Sequence, residues 1–238
     1  MDFNNFENKI RKECEQIDLV LTQEQIELFY TYMKELIDWN NKINLTAIIE
    51  PEEIIKKHFV DCLSIIKYTK NNDKIIDIGT GAGFPGIPIK IANNTLNITL
   101  LDSLNKRINF LNEIITKLNL SKIEAVHSRA EEYALKNNRE SYDIAVSRAV
   151  AELPTLIEYL MPYVKVNGIC ICMKGPKALE EVEKAEKAIK ILGGKVEKIE
   201  NIKIDENMER NIIVIRKIKN TPNSYPRKPG KASKNPIK

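Results

Sequence analysis

The sequence predicts an α/β fold in which a mainly parallel β-sheet ends in an antiparallel hairpin and is preceded by a helical segment. Three observations support this prediction. From Asn71 onward, short β-rich runs alternate with amphipathic stretches, which is the pattern of βαβ units with right-handed crossovers. The last two β-rich runs follow each other with no helical pattern between them. A glycine-rich loop follows the first run, where open parallel sheets bind their ligands.

The N-terminal part is predicted to be helical. Thr22 and Gln25 have the spacing of a capping box, and the apolar residues after them recur at helical intervals. The segment Trp39–Thr46 is rich in turn-forming residues and should end that helix. Pro51 is followed by two glutamates and therefore begins a further helix, which is expected to run to about Tyr68.

The β-rich runs define seven predicted strands. They are Lys74–Ile78, Ile98–Leu101, Lys122–Val126, Asp143–Ser147, Ile169–Met173, Lys195–Ile204 and Asn211–Ile218. Helical patterns between them include Lys106–Leu118 and Ala178–Leu192, the second of which is stopped by two glycines. The last two strands should pair antiparallel at the sheet edge. A parallel nucleotide-binding sheet closed by such a hairpin is the Rossmann-like arrangement of class I S-adenosylmethionine-dependent methyltransferases.

Charge and composition divide the chain into three parts: a helical segment (1–70), the sheet domain (71–219) and a tail (220–238). The chain contains 37 basic and 33 acidic residues, and five of the basic ones lie in the tail, which has no acidic residue. The body is therefore nearly neutral. The tail also contains four prolines, so it is expected to be a low-complexity segment without a core face. A basic tail either meets nucleic acid or an anionic surface, or is simply solvated.

The protein is expected to be soluble and cytoplasmic. No apolar run is long enough to span a bilayer, and the first residues lack the features of a signal peptide. The cysteines form no CxxC pair, which is consistent with reduced thiols. They are Cys14, Cys62, Cys170 and Cys172. Because the two histidines, His58 and His127, belong to no Cys/His cluster, no metal site is expected.

The loop Asp77–Gly83, after the first strand, is the predicted cofactor site. Its glycines let backbone amides approach a ligand. The second strand ends at Asp102, whose carboxylate can accept hydrogen bonds from ribose hydroxyls. The run Gly81–Gly86 also satisfies GxGxxG, so a NAD-dependent oxidoreductase is an alternative. Asp77 favours S-adenosylmethionine, because a carboxylate there can receive the methionine ammonium group and would repel a pyrophosphate.

Two further loops are expected at the same sheet edge. The segment His127–Glu131 follows the third strand, where a carboxylate and backbone amides can read the adenine edge. Arg148 follows the fourth strand and has two possible roles, a contact to the substrate or cofactor carboxylate, or a salt bridge at the sheet edge.

Motifs that are absent from the sequence exclude some classes of methyl acceptor. No Asn/Asp-Pro-Pro-aromatic run follows the fourth strand, as amino-group methylation of bases would require. Cys170 and Cys172 lie in an apolar strand pattern, whereas carbon-5 methylation of pyrimidines needs an exposed cysteine nucleophile. An acceptor that is already nucleophilic, such as guanine N7, fits best, and its methylation needs no general base.

Together these motifs resemble the RsmG family of bacterial 16S ribosomal RNA guanine-N7 methyltransferases, also called the glucose-inhibited division protein B (GidB) family. The matching pieces are Trp39-Asn…Asn44-Leu-Thr46, His58-Phe-Val-Asp61, Asp77-Ile-Gly-Thr-Gly-Ala-Gly-Phe-Pro-Gly-Ile-Pro88, Leu101-Asp-Ser103, Lys106-Arg107, Arg129-Ala-Glu131, Ser147-Arg-Ala-Val150, Lys174-Gly175 and Tyr225-Pro-Arg-Lys-Pro-Gly230. The resemblance implies methyl transfer from S-adenosylmethionine to a guanine in the 530 loop of 16S rRNA. The partner is then naked rRNA, an assembly intermediate or the complete small subunit.

The resemblance also implies which residues contact the cofactor. They are Gly79, Phe84, Ala130, Glu131 and Arg148, with Asp102 near the ribose. Asp77 and Gly81 join them from the loop itself. No catalytic residue is assigned, but Arg148 and Lys174 are candidates near the acceptor.

The tail and the third helix carry the remaining predictions. The expected contacts to rRNA phosphates are Arg227, Lys228, Lys231 and Lys234. A non-catalytic RNA-binding module that uses the tail alone is a third possible function. His58 and Asp61 lie three residues apart on one helix, so both should face the sheet domain, at the substrate mouth or in an interdomain hydrogen bond.

Overall fold

A computed structural model of the chain describes residues 1–135, 137–148, 150–205 and 208–237. Ala149 of the quoted Ser147–Val150 motif and Lys238 of the basic tail lie outside the described residues. Within the described ranges, no helix is long and apolar enough to cross a membrane. The same residues contain no group of three or more His, Cys, Asp or Glu side chains that could hold a metal ion.

The N-terminal segment begins with two helices, α1 (Phe3–Glu15) and α2 (Gln23–Asn40). The predicted capping box is confirmed. The Thr22 side chain accepts from the Gln25 amide, and the Gln25 side chain accepts from the Thr22 amide at 2.9 Å. These two bonds satisfy amide groups that a helix N-terminus leaves without a partner inside the helix, so they fix where α2 starts.

The third helix, α3, begins at Pro51 as predicted but does not reach Tyr68. It comprises three segments, α-helical Pro51–Ile54, π-helical Ile55–Val60 and α-helical Asp61–Leu63. A separate 3₁₀ turn follows at Ile66–Tyr68. At the end of the helix, the Ser64 hydroxyl donates to the Asp61 carbonyl at 2.5 Å and so satisfies a carbonyl of the last turn. Single π-helical turns occur often at functional sites, and this one contains His58.

The sheet has seven strands in the order β3-β2-β1-β4-β5-β7-β6. The strands are β1 (Lys74–Ile78), β2 (Asn97–Asp102), β3 (Ile123–His127), β4 (Tyr142–Arg148), β5 (Val164–Lys174), β6 (Gly194–Asp205) and β7 (Met208–Lys217). The remaining helices are α4 (Gly86–Ala92), α5 (Asn105–Lys117), α6 (Ala130–Tyr133), α7 (Leu153–Leu160), α8 (Ala178–Ile191) and α9 (Lys231–Lys234). Strands β1 to β5 are parallel, and β7 is antiparallel to both β5 and β6. The predicted parallel sheet with an antiparallel edge hairpin is therefore confirmed.

The largest difference in strand length is at β5, which begins at Val164 rather than at Ile169. Val164 pairs with Tyr142, and the register then shifts before Ile169 pairs with Ile144. The intervening segment contains Asn167, whose φ is +72°. A polar run with a left-handed residue has no strand pattern, so this irregular extension was not predicted from the sequence.

Apolar residues pack on both faces of the sheet. On one face, aromatic residues of α1, α2 and α3, such as Phe6, Phe29 and Phe59, join Ile75 and Leu100 of the sheet in one buried cluster. The other face is covered by α7 and α8. The N-terminal helices thus have no separate core, and their packing against the sheet holds α3 at the edge where ligands bind.

The tail packs against the body, so the expectation that it lacks a core face is wrong. Thr221, Ala232 and Ile237 are buried, and Ile237 belongs to the apolar cluster beneath α7 and α8. The Arg139 side chain donates to the carbonyl oxygens of Thr221, Pro222 and Tyr225. The contacting residues are separated by lysines and prolines, and such isolated contacts leave no periodic signal in a sequence.

Candidate functional site

A cavity of about 780 Å³ opens at the carboxyl ends of β1, β2 and β4, where it is bordered by α3 and by the tail. This is the edge at which open α/β sheets bind ligands. Seven of the predicted cofactor residues line it, and they are Gly79, Gly81, Phe84, Asp102, Ala130, Glu131 and Arg148. The eighth, Asp77, is fully buried beneath the loop and does not line the cavity.

The glycines of the loop have different roles. Gly79 has φ +68°, and a Cβ atom there would lie 2.5 Å from a methyl group of Val150, so only glycine fits. Gly86 completes the GxGxxG pattern, but a Cβ there would lie 2.2 Å from Leu100, inside the protein. The Gly86 amide donates to the Asp77 carboxylate at 2.8 Å. Gly86 therefore serves packing and loop support, not the close approach of a pyrophosphate.

Asp77 holds the loop from below. One oxygen, Oδ2, accepts from the Thr80 hydroxyl at 2.7 Å and from the Gly86 amide at 2.8 Å. The other, Oδ1, has no hydrogen-bond partner in the structure. Burial raises the pKa of this carboxyl group to about 7, although the two hydrogen bonds and the charge of Arg148 act in the opposite direction.

Asp102 lies at the end of β2 and points into the cavity. Its carboxylate accepts from the amides of Gly81 and Leu104, both at 3.0 Å, and forms an ion pair with Arg107 at 3.1 Å. The Arg107 Nε atom is buried and has no partner in the structure. It and Asp77 Oδ1 are the two such side-chain atoms among the described residues. Arg107 lines the cavity, and Asp77 lies beneath the glycine loop. A ligand with ammonium and hydroxyl groups fits this set of donors and acceptors.

Asp102→Asn is expected to weaken binding of S-adenosylhomocysteine about 10- to 100-fold. At the predicted ribose position, the substitution removes the charge that would strengthen hydrogen bonds from the ligand hydroxyls. Bonds to charged groups contribute roughly 1.5–3 kcal/mol. Isothermal calorimetry of the purified protein measures the change.

Asp143→Asn is the matched control for this experiment. Asp143 also belongs to a strand of the sheet and accepts from a backbone amide, that of Lys74 at 2.9 Å, but it lies at the opposite end of the strands. This variant should bind S-adenosylhomocysteine as the wild type does. Equal affinities for both variants would contradict the placement of the ribose at Asp102.

Arg148 connects the sheet with α3. Its Nη1 atom donates to the Asp61 carboxylate at 3.0 Å and to the Lys57 carbonyl at 2.9 Å. Its Nη2 atom donates to His58 Nδ1 at 3.0 Å, and the guanidinium group lies 4.9 Å from the centre of the Phe84 ring. Arg148 therefore forms the predicted ion pair at the sheet edge, and it also lines the cavity, where the predicted contact to a ligand can form.

A second arginine, Arg210 of β7, shares the Asp61 carboxylate. Its Nε and Nη2 atoms donate to the two Asp61 oxygens at 2.6 and 2.7 Å. Asp61 is completely buried, and Arg210 lines the cavity beside Arg148. Two guanidinium groups and one carboxylate leave a net positive charge, which suits an anionic ligand group such as a carboxylate.

His58 contacts its neighbours through both ring nitrogens. Nδ1 lies 3.0 Å from Arg148 Nη2 and 3.1 Å from the Lys57 carbonyl oxygen, and Nε2 lies 2.8 Å from the Thr46 hydroxyl. The ring stacks on Phe84 with the centroids 4.4 Å apart. Burial, together with the charge of Arg148, lowers the His58 pKa to about 3. His58 therefore lies at the cavity and also joins α3 to the sheet domain, which are the two positions predicted for it.

The adenine side of the predicted site is joined to the tail. Glu131 lies in the first turn of α6. It is buried, and its carboxylate accepts from the Gly230 amide at 2.9 Å. The Arg129 guanidinium group lies 3.6 Å from the same carboxylate. Tyr159 of α7 and Ser233 of α9 also line the cavity.

The other predicted site residues lie outside the cavity. Lys174 is buried at the end of β5, where it pairs with Glu181 at 2.7 Å and donates to the Ala151 carbonyl. Arg227 forms an ion pair with the buried Glu158 at 2.6 Å. The three tail lysines are exposed, and they are Lys228, Lys231 and Lys234.

Several lining residues were not assigned to the site from the sequence. Arg210 belongs to the closing hairpin, which was predicted only as a structural element. Arg107 was quoted as part of a motif without a role, although its position one turn after Asp102 is a usable signal. Tyr159 and Ser233 reach the cavity only because of how α7 and the tail pack, and nothing in their local sequence indicates this.

Comparisons with known proteins identify what the chain is similar to. The family model described as GidB, rRNA small subunit methyltransferase G, matches residues 25–213. A curated relative from Clostridium novyi (strain NT), named ribosomal RNA small subunit methyltransferase G, is 51% identical over 228 residues, which is 94% of each chain.

Solved structures share the fold at low sequence identity. YcgJ protein from Bacillus subtilis has a TM-score of 0.51 at 13% identity, covering 69% of this chain and 100% of that one. M. jannaschii TYW2, solved in complex with AdoMet, has a TM-score of 0.50 at 15% identity, covering 66% of this chain and 73% of that one.

Proposed function

Because the chain belongs to the rRNA small subunit methyltransferase G family, we propose that it transfers the methyl group of S-adenosylmethionine to N7 of a guanine in 16S rRNA. The family match carries this proposal, since residues 25–213 include the glycine loop, Asp102, Glu131, Arg148 and Arg210. S-adenosylmethionine is the methyl donor, rRNA is the substrate class, and the 530 loop is the proposed target.

The cavity residues fit the parts of S-adenosylmethionine. Asp102 is the acceptor for the ribose hydroxyls, and Glu131 with the Ala130 amide faces the adenine. The charge of Arg148 and Arg210 attracts the methionine carboxylate. Asp77 lies beneath the loop, and its unpaired Oδ1 is the acceptor proposed for the ammonium group, directly or through a water molecule.

The state of the titratable side chains supports an acceptor that needs no deprotonation. S-adenosylmethionine supplies an electrophilic methyl group on a sulfonium centre. His58 is engaged through both ring nitrogens, and the Asp102 and Glu131 carboxylates accept from backbone amides. With these groups engaged, and with Asp77 proposed to receive the ammonium group, the chain's task is to align the acceptor with the methyl group. Guanine N7 has a lone pair and no proton, so its attack requires alignment alone.

The exposed tail lysines support an rRNA substrate. Lys228, Lys231 and Lys234 carry no acidic neighbour within the tail, and each can neutralise a phosphate. Arg227 was predicted to share this role, but its charge is paired with Glu158. Binding of a 16S rRNA fragment should therefore weaken as the salt concentration rises, with a slope set mainly by the lysines.

Disruption of the gene is expected to abolish one 7-methylguanosine in the 530 loop of 16S rRNA. Mass spectrometry of nuclease-digested 16S rRNA from the parent and disrupted strains measures it. The wild-type gene and the Asp143→Asn variant should restore the modification, whereas Asp102→Asn should restore it poorly. An unchanged 7-methylguanosine content in the disrupted strain would refute the proposed acceptor.

A further inference from the structure

The C-terminal segment covers the adenine side of the cavity. The Gly230 amide donates to Glu131 at 2.9 Å, and Ser233 lines the cavity. Between them, Ala232 is buried to 1% exposure, and its carbonyl accepts from the Thr155 hydroxyl of α7 at 3.3 Å. The segment thus contacts the site through its backbone and its small residues.

An ion pair fixes the position of this segment. Glu158 of α7 is completely buried, and its carboxylate accepts from the Arg227 amide, from Nε and from Nη2 at 2.6–3.0 Å. A buried carboxylate is costly without a partner, so the docked tail is strongly favoured over a detached one. Three residues later the chain reaches Gly230, whose φ of +76° turns the segment towards Glu131.

The three lysines of the segment are exposed and make none of these contacts. Lys231 and Lys234 flank the buried Ala232 but are themselves exposed, and Lys228 is exposed next to the paired Arg227. Backbone groups and small side chains therefore face the cavity while ammonium groups face the solvent. The lysines can contact phosphates without any loss of the contacts to Glu131.

We propose that the segment Tyr225–Ile237 is a structural wall of the cofactor site and that it positions Glu131 for cofactor binding. This inference rests on the proposed function, because it takes the ligand of the cavity to be S-adenosylmethionine. The tail positions Glu131 through the hydrogen bond from the Gly230 amide. Without that bond, the remaining ion-pair partner of Glu131 among the described residues is Arg129, which lies 3.6 Å away and is 49% exposed. Cofactor affinity therefore depends on tail docking even when no RNA is present.

The test is a truncation that ends the chain at Pro229. It retains Arg227 and its ion pair with Glu158, so the buried Glu158 carboxylate keeps its partner. It removes the Gly230 donor and the Ser233 lining. A Glu131 carboxylate that is no longer held in place loses its proposed hydrogen bond to the ligand. The loss of one such bond to a charged group predicts about 10-fold weaker binding of S-adenosylhomocysteine in RNA-free calorimetry.

The matched control is Lys231→Ala combined with Lys234→Ala in the full-length chain. It removes two of the cations that the truncation removes but keeps the wall. This variant should bind S-adenosylhomocysteine like the wild type and bind a 16S rRNA fragment more weakly, with a shallower salt dependence. A wild-type affinity in the truncated chain, or equal losses in both variants, would overturn the proposal.

A second variant, Ala232→Asp, keeps every residue of the tail but places a carboxylate where 1% exposure leaves no access to water. It should detach the segment and lower the S-adenosylhomocysteine affinity as the truncation does. Thermal unfolding confirms that each variant is folded at the assay temperature. Failure of the full-length chain to bind S-adenosylhomocysteine would instead refute the cofactor assignment, and the identity of the methylated base is decided separately by the rRNA analysis.

Discussion

Replacing Asp61 by alanine is expected to lower the free energy of unfolding by about 3–5 kcal/mol, because two arginines would then share a buried position without a counter-charge. The Asp61 side chain is completely buried, and the side chains of Arg148 and Arg210 are 11% and 12% exposed. Without the carboxylate, the two guanidinium groups repel each other and lose three hydrogen bonds. Urea unfolding measures the loss.

Asp38→Ala is the control for Asp61→Ala. Asp38 is also a helical aspartate in an ion pair, with Lys42 at 2.8 Å, but both side chains are more than 60% exposed. An exposed pair of this kind contributes at most about 1 kcal/mol. If Asp61→Ala cost no more than Asp38→Ala, the buried network would not stabilise the fold.

Asp61→Asn removes the negative charge of this network but keeps the size and shape of the side chain. The amide keeps one oxygen acceptor but cannot neutralise either arginine, so an intermediate loss of stability is expected. Because Arg148 also lines the cavity, both variants should bind S-adenosylhomocysteine more weakly than the wild type. The ion pair thus links the packing of α3 to the function of the site.

The sequence predicted the parts of this network unequally. His58 and Asp61 share a helix, so their spacing alone indicated that they face the same neighbour, and Arg148 followed from its position after a strand. Arg210 is different. It lies 149 residues from Asp61 and reaches it because β7 inserts between β5 and β6. Strand order is a property of the whole fold, and no local pattern around Arg210 contains it.

The contacts of the tail could not be predicted from the sequence either. Its composition predicted a low-complexity segment without a core face, because it is rich in lysine and proline and has no helical or strand period. In the structure, single residues such as Ala232 and Ile237 are buried, and backbone groups make most of the polar contacts. Contacts through the backbone do not depend on side-chain type, so composition does not record them.

Asp77→Asn is expected to change how the stability of the ligand-free protein depends on pH. The Asp77 pKa is about 7 in the folded protein and 3.8 in an exposed chain, so the folded state holds this proton more tightly. Wild-type stability therefore decreases as the pH rises between these two values, because the unfolded chain releases the proton while the folded protein still holds it. The neutral amide has no such dependence. The stability of the variant relative to the wild type should rise by about 3 kcal/mol between pH 5 and pH 8.

Urea unfolding at several pH values, with Asp143→Asn as the control, tests this expectation. At Asp143, partial burial acts to raise the pKa, but the hydrogen bonds from Lys165 and from the Lys74 amide outweigh it and lower the pKa. This group is ionised in both states above pH 5, so the stability difference between Asp143→Asn and the wild type should be flat over the same range. If the stability difference between Asp77→Asn and the wild type were also independent of pH, Asp77 would be ionised in the folded protein over this whole range, and the prediction would be wrong.

The cost of ionising Asp77 links the stability of the ligand-free protein to the binding of a cationic group. A buried carboxylate whose Oδ1 has no partner in the structure destabilises the ligand-free protein above pH 7, and the ammonium group that we propose as its ligand would offset this cost on binding. Asp77→Asn should therefore be more stable than the wild type at pH 8 without ligand and bind S-adenosylhomocysteine more weakly. Both effects must appear together if Asp77 acts through its charge. Weaker binding with no gain in stability would instead point to damage to the glycine loop, which Asp77 supports through Thr80 and Gly86.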